Sequence, residues 1–151
     1  MPSRWDIKHT TDIDAPIDLA WDHLIDINHW DWNLWTRLEA TDVKAGTKGK
    51  LKANYKGDNE GWDTYDFEFG PIDEEDHIMT WFGKIGPGGF LFYAYHTMQL
   101  QKVDDRTTRL VHKESFRGLL PALGLGLPFK QLNENYLKMN EAFKIYVEAK
   151  A

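Results

Sequence analysis

From Arg4 to Asp14 the chain alternates, placing Trp5, Ile7, His9, Thr11 and Ile13 on one face, and a period of two predicts a β-strand. The period then changes. Asp14-Ala15-Pro16 opens a helix, with Asp14 the expected N-cap and Pro16 in the first turn, and Ile17, Ala20, Trp21 and Leu24 follow at helical spacing. A short aromatic turn or helix comes next, from Asn28 to Asn33. Between Leu34 and Gly118, breakers at Ala45-Gly46, Gly57-Asp58-Asn59, Gly70-Pro71, Gly86 to Gly89 and Asp104-Asp105 mark off about six strands. Leu51, Ala53 and Tyr55 share one strand face, and Tyr65, Phe67 and Phe69 share another. The last segment, about Leu127 to Glu148, reads as a long helix with Phe129, Leu132, Tyr136, Phe143 and Val147 in one stripe.

This order predicts an α+β fold: one large antiparallel sheet of about seven strands, with two short helices after the first strand. A sheet with one buried face needs a cover, and only the terminal helix is long enough to supply it. If the sheet curls around that helix, the space between them is either a packed core or a pocket.

Composition narrows the classes. With 151 residues the chain has the length of a single domain, residues 1–151, able to bury roughly 70% of its unfolded surface. There are 24 acidic against 18 basic residues, a net charge of −6 with no basic run, which argues against a nucleic-acid partner. The absence of cysteine excludes disulfides, thiolate metal sites and a cysteine nucleophile. The first residues lack a signal-peptide pattern, and no stretch approaches the ~20 apolar residues of a membrane span, so the expected location is the cytoplasm. Aromatic residues make up 14% of the chain, enough either to fill a core or to line a ligand cavity.

The segment Ile13-Asp14-Ala15-Pro16-Ile17-Asp18-Leu19-Ala20-Trp21 resembles the start of the START-like, or helix-grip, superfamily. That group (SRPBCC) includes polyketide cyclase/dehydrase-like and birch-pollen-allergen-like proteins. The resemblance continues through Asp26 to Trp32-Asn33, Gly46, Met79-Thr80-Trp81-Phe82-Gly83 and Gly86-Pro87-Gly88. It closes with His96, Thr108-Arg109-Leu110 and Glu114 to Leu120 before the final helix. It implies a helix-grip fold: a curved sheet around the C-terminal helix, with a deep, largely apolar cavity between them. Superfamily members carry lipids, sense hormones or catalyse cyclisation, so the fold leaves the activity open.

The strand faces then point to candidate chemistry. Phe90, Phe92, Ala94, His96, Met98 and Leu100 share one face, and Leu110, His112, Glu114 and Phe116 share another. A hairpin around Asp104-Asp105 that sets Leu100 opposite Leu110 also sets Met98 opposite His112 and His96 opposite Glu114, about 5 Å apart. Imidazole beside carboxylate in an apolar cleft suits general acid–base work, which makes His112, Glu114 and His96 the candidate catalytic residues. A satisfied structural pair is the competing reading. On the helix, Tyr136, Asn133 and Asn140 fall in the apolar stripe, where a phenol and two amides need partners. Tyr136 and Asn140 are candidate ligand contacts, with Phe143 beside them. Tyr65, Phe67, Trp81, Phe92, Met98 and Phe116 are expected to line the cavity. Alternation alone does not place His9 or Asp63.

Three other patterns carry less. His23, Asp26, His29 and Asp31 have metal-ligand types but straddle a helix end, so no metal is assigned. Gly124-Leu125-Gly126 lacks the third glycine and the further strand of a dinucleotide loop, so no cofactor is assigned. Leu119 to Phe129 carries no charge and could gate the cavity, touch a membrane transiently, form a weak homodimer contact or simply pack. The expected function is binding of an apolar small molecule (a lipid, polyketide or aromatic metabolite). The alternative is a cofactor-independent polyketide cyclase or dehydratase, and a protein-interaction groove is a third reading.

Overall fold

The computed structural model describes residues 6–123 and 128–151, so Trp5 and the Gly124-Leu125-Gly126 segment lie outside the described residues. The first alternating segment is strand β1 (Ile7–Ile13), followed by α1 (Ile17–Ile25) and a 3₁₀ turn (Ile27–His29). Six strands follow: β2 (Thr36–Glu39), β3 (Lys48–Ala53), β4 (Asp63–Asp73), β5 (Ile78–Ile85), β6 (Phe92–Asp104) and β7 (Thr107–Arg117). A one-turn helix α2 (Leu119–Ala122) precedes the long α3 (Phe129–Glu148). All strands belong to one seven-stranded antiparallel sheet in the order β1-β7-β6-β5-β4-β3-β2. Consecutive strands pair as hairpins, and only β1 crosses over, to the edge of β7. This is the curled, half-barrel sheet of a helix-grip fold.

Three local expectations are corrected. Asp14 does not cap α1; Pro16 is the N-cap, in extended conformation and without a side-chain cap bond. The Asp14 main-chain N–H instead donates to Glu148 Oε2 at 2.8 Å, tying the end of α3 to the β1–α1 corner. Gly70-Pro71 does not end a strand. It shifts the register inside the continuous β4, where proline's missing N–H is tolerated at a bulge. The chain turns after Asp73, whose carboxylate accepts the amides of Glu75 and Asp76. Strand β6 begins at Phe92, leaving Phe90 exposed in the preceding turn.

The core has two unequal halves. Around the C-terminal half of α3, a cluster holding Trp21, Leu24, Trp30, Phe69, Met98 and Phe143 packs solidly against α1. Around its N-terminal half the cluster is smaller, with Ile7, Ala94, Phe116, Leu132, Tyr136 and Met139. Small residues explain the difference: Gly83 on β5 pairs with Ala94 on β6, and Ala94 pairs with Phe116 on β7. Two small side chains in adjacent strands leave the sheet's inner face hollow there.

Candidate functional site

That hollow is a cavity of about 440 Å³ between the sheet and the N-terminal half of α3. Trp81, Phe92, Phe116 and Leu132 form walls, and Trp35, Tyr55 and Tyr65 also line it. Three polar side chains at its inner end, His96, Glu114 and Tyr136, are all buried.

Sheet register puts them there. His96 stands opposite Glu114, Met98 opposite His112 and Leu100 opposite Leu110, the pairing the hairpin predicts. On its other side His96 pairs with Trp81, and the two rings stack with centroids 4.0 Å apart and planes 15° from parallel. Tyr136 and Asn140, one turn apart on α3, reach down to this row.

The polar groups satisfy one another in a chain. Tyr136 donates its hydroxyl to Glu114 Oε1. Glu114 Oε2 lies 3.2 Å from His96 Nδ1, and His96 Nε2 meets His112 Nε2. His112 Nδ1 is 2.9 Å from Asn140 Oδ1, and the Asn140 amide nitrogen donates to Thr11 Oγ1 at 3.1 Å. Burial, and then the facing His96, hold the His112 imidazole well below its ordinary pKa, so it is neutral. Burial, and then the adjacent Glu114, push the Tyr136 phenol well up, so it remains a donor. At the mouth, burial, and then the neighbouring Tyr65 phenol, push the Tyr55 phenol up.

Of the residues expected at a site, the cavity brings together His96, Glu114, Tyr65, Trp81, Phe92, Phe116 and Tyr136. His112 and Asn140 lie outside its lining, fully buried and tied to His96 and Thr11. His112 sits one residue pair further along the hairpin, opposite Met98 and beneath α3, behind the cavity lining. Met98, Phe67 and Phe143, expected to line the cavity or to stand beside its ligand contacts, lie outside the lining as well. All three belong to the solid half of the core, because facing inward places a side chain in the interior without deciding which end of the interior is hollow. His9, opposite His112 on β1, lies within hydrogen-bond distance (2.8 Å) of the main-chain carbonyl of Asn133, which occupies the Asn133 end of the stripe. Asp63 is exposed at the start of β4.

The sequence reading missed Trp35, Tyr55, Ala94, Leu120, Leu132 and Asn135, all of which line the cavity. Tyr55 carried a usable signal, the alternation with Leu51 and Ala53, and Ala94 another, a small residue between Phe92 and His96 on an inward face. A second groove of about 600 Å³, between the Ile27–His29 turn and the β2–β3 connection, carries Asp26, Asp42, Lys44 and Glu74 and none of the expected site residues. Among the described residues no helix is long and apolar enough to cross a membrane.

No family model matches the chain, and no curated protein matches it. Solved structures do. The Zhui aromatase/cyclase from a Streptomyces species aligns at 17% identity over 95% of this chain and 93% of its own, with TM-score 0.69. Norcoclaurine synthase from Thalictrum flavum, in complex with dopamine and hydroxybenzaldehyde, aligns at 16% identity over 94% of this chain and 85% of its own, with TM-score 0.68. The major latex-like protein 151 of Panax ginseng aligns at 14% identity over 93% of this chain and 95% of its own, with TM-score 0.69. At these identities the likeness is one of fold, and the fold is the START-like, helix-grip one.

Proposed function

We propose that this chain binds an apolar, ring-bearing small molecule in the cavity beneath the N-terminal half of α3. One observation carries the reading: an aromatic-walled hollow of about 440 Å³ ends on the buried polar residues Glu114, His96 and Tyr136. Ligand cavities combine these features, apolar walls for affinity and a few fixed polar groups for orientation. The Tyr136 hydroxyl already serves Glu114, whose carboxyl still has lone pairs to offer a guest. Solved structures of this fold include one holding dopamine and hydroxybenzaldehyde, two small aromatic molecules. Native mass spectrometry of the purified chain tests the reading. A co-purifying apolar molecule, released by filling the cavity through Ala94→Leu, is the expected result. An empty cavity that takes up no aromatic probe refutes it.

A second reading has its own support. Glu114 and His96 are hydrogen-bonded at the cavity floor, where low dielectric strengthens proton transfer to or from a bound carbonyl compound. On this reading the chain is a cyclase or dehydratase acting on a polyketide-like substrate. Glu114→Gln separates the two: an enzyme loses turnover and keeps substrate affinity, whereas a carrier changes in affinity alone.

A further inference from the structure

Tyr136, Glu114, His96, His112, Asn140 and Thr11 run in single file from the cavity floor into the core, and the direction of each bond follows from the closed end. His112 turns its Nε2 to His96 and its Nδ1 to Asn140. The Asn140 amide nitrogen donates to Thr11 Oγ1, which leaves Asn140 Oδ1, an acceptor, facing His112 Nδ1 at 2.9 Å, so Nδ1 carries the hydrogen. A neutral His112 then offers only a lone pair at Nε2, and His96 must donate to it from its own Nε2. This leaves His96 Nδ1 facing Glu114 Oε2 at 3.2 Å, where two lone pairs would repel. One proton lies between them, as imidazolium with carboxylate or as imidazole with carboxylic acid. Either form sums to zero charge.

We infer that His112 is the positioning residue of this site: without touching a ligand it orients His96, so that the Glu114–His96 pair holds one proton and selects a neutral, hydroxyl-bearing ring compound over an ammonium or carboxylate of the same shape. The inference rests on the cavity being the small-molecule site. A hydroxyl donates to the remaining lone pairs of Glu114, whereas an ion would enter an apolar cavity with no net counter-charge at its floor.

Calorimetric titration of the full chain with naphthalene, 2-naphthol, 2-naphthoate and 2-naphthylmethylammonium tests it. The expected order places 2-naphthol about tenfold tighter than each of the other three, the worth of one well-made hydrogen bond. His112→Gln supplies an amide oxygen for the His96 N–H and keeps that order. His112→Phe removes the acceptor, so His96 releases its Nε2 hydrogen to solvent and keeps the shared proton on Nδ1 against an ionised Glu114, and the net charge of −1 shifts the preference about tenfold toward the ammonium. Nitrogen-15 NMR of the unaltered protein reads the tautomers independently of any variant, with His112 protonated at Nδ1 alone and His96 protonated at Nε2. Equal affinity for naphthalene and 2-naphthol, an unchanged order in His112→Phe, or His112 protonated at Nε2 overturns the inference and leaves the cavity reading standing. Failure of all four compounds to bind overturns both.

Discussion

Phe143 and Phe116 both face the interior, yet only one of them meets the cavity, and truncating each to alanine should separate packing from binding. Phe143 is fully buried among Trp32 and the solid cluster, with the Trp32 ring centroid 5.1 Å away. Phe143→Ala would open a void of roughly 100 Å³ with no access to solvent, and at ~24 cal/mol per Å³ the cavity cost alone is ~2.4 kcal/mol. With the lost transfer energy the total is about 3–5 kcal/mol, which for a chain of this length lowers Tm on the order of 10 °C. Phe116 lies against Phe92 and Phe129 at the cavity wall, so its truncation enlarges a space that already exists. The cavity term then largely disappears and about 2 kcal/mol of transfer energy remains. Affinity should follow the opposite order, with Phe116→Ala weakening 2-naphthol binding several-fold and Phe143→Ala leaving it unchanged in the folded protein. Chemical denaturation gives the stabilities and calorimetry the affinities. A Phe143→Ala protein that loses affinity as strongly as Phe116→Ala, or that costs no more stability, would falsify the division of the core into a solid and a hollow half.

Three further outcomes follow from the same geometry. Ala94→Leu extends a side chain into open cavity rather than packed core, so stability should change by less than about 1.5 kcal/mol while probe binding is abolished; thermal melts paired with titration decide it. Because His112 is held neutral when folded but titrates near 6.5 when unfolded, the unfolded chain binds the extra proton below that pH. Stability should therefore fall on acidification from about pH 6.5, by up to ~1.4 kcal/mol per pH unit from this group, and urea titrations of His112→Gln should show a slope shallower by about one proton. Gly118 sits at φ 109°, and a Cβ there would lie 2.8 Å from the Leu91 carbonyl oxygen, so Gly118→Ala should cost about 1–3 kcal/mol, read by the same denaturation assay.

What the sequence determined by itself was period and order. Alternation in β1, β3, β4, β6 and β7 and the 3.6-residue stripe of α3 are local properties, set by which positions must face the interior, and they survive in the structure almost residue for residue. The register of β6 on β7 was legible too, because the short Asp104–Asp105 hairpin leaves little freedom and a slip of one residue would turn His96 and Glu114 outward. Local patterns gave no account of Gly70-Pro71, where pairing with β5 carries β4 through a bulge that the dipeptide read in isolation marks as a break. Nor could they divide the interior. Phe143, Met98 and Phe67 share the inward face with Phe116 and Phe92, and only the tertiary arrangement packs the first three against α1 and its neighbours while Gly83 and Ala94 leave space beside the others. Alternation reports a direction, inward or outward. Volume is a property of facing surfaces, summed over strands far apart in the chain, and His112 became a buried support rather than a wall for that reason.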